Sequence, residues 1–79
     1  MTNQDKYDKS FMDALDVQQE QLNEKLIYNS VKAWDSVGHM ALMASIEGQF
    51  DIMIETDDIV DFSSYSKGKE ILSKYGVEL

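Results

Sequence analysis

The stretch AWDSVGHMALMASIEGQF, residues 33–50, decides how the rest of the chain is read. Apolar and small residues recur in it at helical spacing, no proline interrupts it, and Asp35-Ser36 stands directly before the run. The spacing predicts a central helix from about Ser36 to Phe50. At about 100° per residue, Leu42, Met43, Ile46 and Phe50 share one face, with His39 on the same side nearer Ser36. That is the predicted core face. The opposite side carries Val37, Met40, Ala41, Ala44, Glu47 and Gly48, an outer face with unusually little charge. A helix apolar nearly all round is either buried or used for docking.

Two readings of Asp35-Ser36 compete at the head of that helix. Asp and Ser are favoured N-cap residues, whose side-chain oxygens satisfy free N–H groups of the first turn. A serine hydroxyl at a helix N-terminus is also accessible, and a phosphate placed on it would meet the positive end of the helix dipole. The dipeptide alone leaves both open.

On the N-terminal side, Thr2-Asn3-Gln4-Asp5 resembles a capping box with Asp in place of Glu or Gln. Tyr7, Phe11, Ala14 and Leu15 then make one apolar stripe, so residues 3 to 15 are expected to form the first helix. From Asp16 to Trp34 the periodicity weakens, with Val17, Leu22, Leu26, Ile27, Tyr28, Val31 and Trp34 as scattered apolar anchors. Loops of more than about 12–15 residues are uncommon in compact domains, so this one is expected to wrap the core, with a helical turn near Gln18 to Leu22. On the C-terminal side, Asp51 to Glu55 reads as a short extended connection whose apolar residues drop back onto the core. Thr56 can cap a brief third helix, Asp57 to Phe62, and Ser63 or Ser64 a fourth, with the stripe Tyr65, Gly68, Ile71, Leu72 and Tyr75. Lys74 falls in its last turn and Gly76 suits the position just past it. The expectation is an all-α, four-helix bundle with a long first loop and a short third helix, a single domain over residues 1–79.

A chain of 79 residues without Cys buries a modest core, and has neither a disulfide framework nor a thiolate metal site. No run has the length of a membrane span, and the polar start MTNQDKYDK lacks the apolar centre of a signal peptide. The expectation is a cytoplasmic protein without a membrane partner, monomeric and, from its capped ends, free-standing. Fifteen Asp and Glu against seven Lys, with no Arg, give a net charge of −8, which argues against nucleic acid as partner. The charge is also uneven. No Lys lies between Lys32 and Lys67, while Asp35, Glu47, Asp51, Glu55, Asp57, Asp58 and Asp61 all do. Such a run is either a solvated surface or a field that steers basic partners.

This order of elements, with Asp-Ser opening the second helix after a long loop, resembles the acyl carrier proteins. The likeness covers nearly the whole chain. It rests on DSVGHMALMASIEGQF (35–50) against the family's Asp-Ser-Leu motif and helix, on the acidic TDDIVDF (56–62), and on SYSKGKEILSKYGV (64–77). The resemblance implies that a phosphopantetheinyl transferase attaches the 4'-phosphopantetheine arm of coenzyme A to Ser36 as a phosphodiester, with Asp35 supporting the transfer. It further implies a carrier that is itself no enzyme and has no catalytic residue. Acyl or aminoacyl groups would ride as thioesters from a loading enzyme to an acyl-using synthase or transferase, as in fatty acid or secondary metabolite biosynthesis. The residues expected to meet those partners are Val37, Met40, Ala41, Ala44, Glu47, Asp57, Asp58 and Asp61. Met12, Met43 and Met53, if core-facing, would supply side chains that repack around apolar guests.

Departures from the family pattern point to a specialised pathway. Val37 replaces the usual Leu of the motif, and carriers of fatty acid synthesis typically bear carboxylates where this chain has Gly38, Ala41 and Gly48.

Three rival readings apply to the same residues. Ser36 and His39, three apart, resemble a nucleophile and its base, but no enclosed pocket is expected there, His39 points toward the core side, and no acid is placed to orient it. Asp57, Asp58 and Asp61 lack the glycine and ligand spacing of a calcium loop, so no metal site is expected. The alternative to a carrier is an unmodified helical interaction module in which Ser36 is only a cap.

Overall fold

A computed structural model describes all residues, 1–79, as four α-helices with no strand. Helix α1, Asn3–Leu15, starts at a complete capping box: Asp5 N–H donates to Thr2 Oγ1 at 3.1 Å, and Thr2 N–H donates back to Asp5 Oδ2 at 3.2 Å. It ends at Asp16, which takes the left-handed conformation (φ 54°) that Asp tolerates better than most residues. Helix α2, Ser36–Phe50, ends in the same way at Asp51, φ 53°. Helix α3, Thr56–Asp61, and helix α4, Tyr65–Ser73, complete the set, and Ser64 caps α4 by accepting from Lys67 N–H at 2.9 Å. The expected cap at Thr56 is displaced by one residue. Thr56 is the first helical residue, Glu55 holds the cap position without a side-chain cap bond, and Phe62 lies just past the end.

Phe11 is the hub of the core. Its ring stands edge-on to Trp34 at 5.6 Å and to Tyr65 at 5.2 Å, with Tyr7 at 4.9 Å and Phe62 at 6.1 Å. One ring from α1 thus meets the loop, α4 and the end of α3, and burying such a ring contributes about 1.5–3 kcal/mol. Leu15, Leu42, Met43, Ile46 and Leu72 close around this aromatic group. Helix α4 reaches it at a residue without a side chain: a Cβ on Gly68 would stand 2.2 Å from both Phe62 and the Tyr7 hydroxyl. The Tyr7 hydroxyl donates to the Tyr65 carbonyl, and the Tyr65 hydroxyl meets Asp8 and Gln4, so α1 and α4 are also joined by polar contacts.

The loop from Asp16 to Asp35 wraps the core as expected, with a 3-10 turn at Gln19–Gln21. Val17, Leu26 and Trp34 are buried, whereas Ile27 and Tyr28 are exposed, contrary to their expected role as core anchors. The loop is held here through its backbone instead: an isolated antiparallel bridge joins Ile27 and Ser64, with Tyr28 N–H donating to Ser63 O and Tyr65 N–H to Leu26 O. The connection after α2 also behaves unevenly: Ile54 is buried and Ile52 partly so, while Met53 is 83% exposed. Of the three methionines expected to face the core, Met43 is buried and Met12 packs against the core, but Met53 does not.

Candidate functional site

Three contacts fix the head of α2. Trp34 is fully buried, which anchors the chain one residue before the cap. Asp35 holds the cap position and its Oδ1 accepts from Gly38 N–H at 2.8 Å, while its carbonyl accepts from His39 N–H to open the helical ladder. Gly38 then packs against the loop, because only a residue without Cβ fits beneath the carbonyl of Ala33. Ser36, the first helical residue, is left exposed between these anchors. The capping expected of Asp35-Ser36 is therefore performed by Asp35, and the Ser36 hydroxyl is not needed for it.

Beside Ser36 lies a groove of about 350 Å³. Helix α2 contributes Ser36, His39 and Met40, and α3 with its following turn contributes Ile59, Val60 and Phe62; Tyr28 and Ser63 complete the lining. The groove is open to solvent, in keeping with the expectation that no enclosed pocket stands here; its second wall, formed by α3 and the exposed Tyr28, is what residues 33–50 alone could not show.

His39 is half-buried within this wall and both of its nitrogens are engaged. Trp34 Nε1–H donates to Nδ1 at 3.0 Å, and Nε2 lies 2.8 Å from the carbonyl oxygen of Ile59. Neither nitrogen is left to take a proton from Ser36, so the pair is not arranged as nucleophile and base.

The residues expected to meet partners divide into two groups. Val37 (79% exposed), Met40 (57% exposed), Ala41 and Ala44 lie open on α2, and Asp57 and Asp61 lie open on α3. Two carboxylates are instead used internally. Glu47 Oε2 accepts from Ile54 N–H at 2.8 Å and ties α2 to the connection after it. Asp58 is buried to 7% exposure, with Oδ1 on Lys74 Nζ and Oδ2 on the Tyr75 hydroxyl, both at 2.5 Å. The Lys74 bond, followed by that from Tyr75, holds the Asp58 carboxyl below the usual range, and Asp58 in turn raises Lys74 and Tyr75.

Of the three positions where a carboxylate is missing, Gly38 is buried against Ala33, so that any side chain there would force the loop to shift, whereas Gly48 faces open space. The groove residues to which the sequence reading gave no functional role are Tyr28, Ile59, Val60, Phe62 and Ser63. Val60 is 74% exposed beside the groove, but a six-residue helix is too short for an apolar stripe to reveal it.

No group of three or more His, Asp or Glu side chains is placed to hold a metal ion, and no helix is long and apolar enough to cross a membrane. Comparison with models of protein families, with curated proteins and with solved structures finds no match.

Proposed function

We propose that this chain is a carrier of acyl or aminoacyl groups, held as thioesters on a 4'-phosphopantetheine arm attached to Ser36 Oγ. The observation that supports this reading best is the position of Ser36. Its hydroxyl is exposed, is relieved of capping by Asp35, and opens onto the apolar groove between α2 and α3. The residues present fit such an arm. First-turn N–H groups and the positive end of the α2 dipole suit a phosphodiester at Ser36, and Met40, Ile59 and Val60 offer apolar surface beside it. When attached, the arm supplies a terminal thiol for the cargo, which this chain without Cys does not have.

The chain's own residues then perform two tasks. Asp35 and Gly38 hold Ser36 at a fixed place, so that a transferase finds the hydroxyl presented the same way each time. Val37, Met40, Ala41 and Ala44, exposed on α2, together with Asp57 and Asp61, exposed on α3, suit brief docking against an apolar surface with a basic rim. Partners of this kind are a phosphopantetheinyl transferase, a loading enzyme and an acyl-using synthase or transferase.

The test is transfer of the arm from coenzyme A, followed by peptide mapping that finds the added group on Ser36 and nowhere else. An unmodified interaction module is favoured by a different observation, the high exposure of Val37 and Met40, which such a module would use without any change at Ser36. A chain that binds partners through that face and accepts no arm is such a module.

A further inference from the structure

Helix α3 is one wall of the groove beside Ser36, and little in its own sequence holds it in place. It has six residues and no side-chain cap bond, and so short a helix is unstable in isolation. It is held from two sides. Asp58 is tied to Lys74 and Tyr75 on one, and on the other the single side-chain hydrogen bond between α2 and α3 runs from His39 to the carbonyl of Ile59.

The partners of His39 determine which nitrogen carries the proton. An indole N–H can only donate, so Nδ1 accepts from Trp34; a carbonyl can only accept, so Nε2 carries the hydrogen. The imidazole is therefore neutral in this arrangement. Its ring lies nearly parallel to Trp34 (17°, 6.2 Å) and meets the rings of Tyr28 and Phe62 edge to face, at 5.8 and 6.2 Å.

We propose that His39 is the positioning residue that holds α3 at its distance from α2, and so shapes the groove beside Ser36, and that it does this only as the neutral imidazole. A proton on Nδ1 sets two N–H groups against each other across 3.0 Å, while Nε2–H continues to donate to Ile59. Trp34 is fully buried and cannot follow, so the imidazole turns and carries α3 with it.

The loop that carries Tyr28 and Trp34 also bears Asp16, Glu20, Glu24, Lys25, Lys32 and Asp35, α2 bears Glu47, and α3 bears Asp57, Asp58 and Asp61. None of them is bonded to His39, whose partners are Trp34 and Ile59. Asp35 is engaged by Gly38, and Asp58 by Lys74 and Tyr75. A protonated His39 is thus the one side-chain positive charge between Lys32 and Lys67. That the groove is well formed for cargo at neutral pH and relaxes in acid rests on the carrier reading; the contact between His39 and α3 does not.

The chain has one Trp and one His, so NMR of the unmodified protein from about pH 8 to about pH 5, the span in which imidazoles titrate, reads the device directly. The indole N–H resonance of Trp34 and the Cα carbon resonances of Ile59 and Val60, which report backbone geometry, are expected to shift along one sigmoid with a common midpoint. In His39→Gln the Cα shifts lose their pH dependence. Cα resonances that stay still while the indole moves overturn the proposal, as do Cα shifts of equal size in His39→Gln. Should that variant not fold, Trp34→Phe removes the opposing donor and keeps an aromatic ring. Acid must then leave Ile59 and Val60 in place, and an undiminished Cα shift overturns the proposal. No arm or partner takes part, so failure here leaves the carrier reading untouched.

Discussion

Gly38 and Ala33 lie so close that a Cβ on residue 38 would stand 1.8 Å from the Ala33 carbonyl oxygen. On helix propensity alone, Gly38→Ala would stabilise α2 by about 1 kcal/mol. The obstacle is backbone rather than the end of a flexible side chain, so the clash is expected to win. We predict a net loss of about 1–3 kcal/mol, the usual cost of overpacking a filled site, read as a lower urea midpoint with an unchanged slope. Gly48→Ala, facing open space, serves as the control and gains stability.

Asp58 gives the chain a signature in acid. Its carboxyl is held below the ordinary range by Lys74 and then Tyr75, so its contribution is present above the carboxylate pKa of the unfolded chain. That contribution is lost as pH falls through the lower folded value. Lys74, raised by the same pair, contributes below the ordinary lysine pKa and loses that contribution as pH rises through its raised value. Asp58→Asn is therefore expected to flatten the melting temperature against pH at both ends. A curve parallel to that of the parent contradicts the assignment.

Much of the fold was legible because single residues carried it. Thr2 and Asp5 announce the start of α1, Asp35-Ser36 that of α2 and Ser63-Ser64 that of α4, and the cap bonds are made by Thr2, Asp35 and Ser64. The stripe Tyr7, Phe11 and Leu15 is buried, as are Leu42, Met43 and Ile46. What stayed hidden depends on contacts between distant residues. The bridge of Ile27 to Ser64 leaves no periodic mark, and neither does the contact of Gly38 with Ala33. Asp58 has the same residue type and helix as Asp57 and Asp61, and only Lys74 and Tyr75, sixteen and seventeen residues on, distinguish it. At the candidate site, the place of Asp35 and Ser36 at the head of α2 could be read from the sequence, whereas the second wall of the groove could not.

Val37 and Met40 separate docking from stability. Both are exposed on α2, so Val37→Asp and Met40→Asp are expected to change folding stability by no more than about 0.5 kcal/mol. If this face meets the transferase, each charge, buried unpaired in the encounter, slows modification of Ser36 severalfold. Initial rates of arm transfer check this, and rates equal to the parent's place the docking surface elsewhere.

Ala41 and Gly48 leave the exposed side of α2 without the carboxylates that carriers of fatty acid synthesis typically bear there, and Gly38 has no room for one. The arm-bearing chain is therefore expected to be a poor substrate for an ordinary set of fatty acid synthase enzymes. Product analysis after incubation with such a set decides this, and efficient elongation removes the argument for a specialised pathway.

The most direct measurement is the intact mass of the purified chain after incubation with coenzyme A and a broad-specificity phosphopantetheinyl transferase, beside a Ser36→Ala control. A carrier gains the mass of one phosphopantetheinyl group in the parent and nothing in the control. No gain in the parent, with the same transferase shown active on another carrier, contradicts the account and leaves Ser36 as an exposed serine at the head of α2.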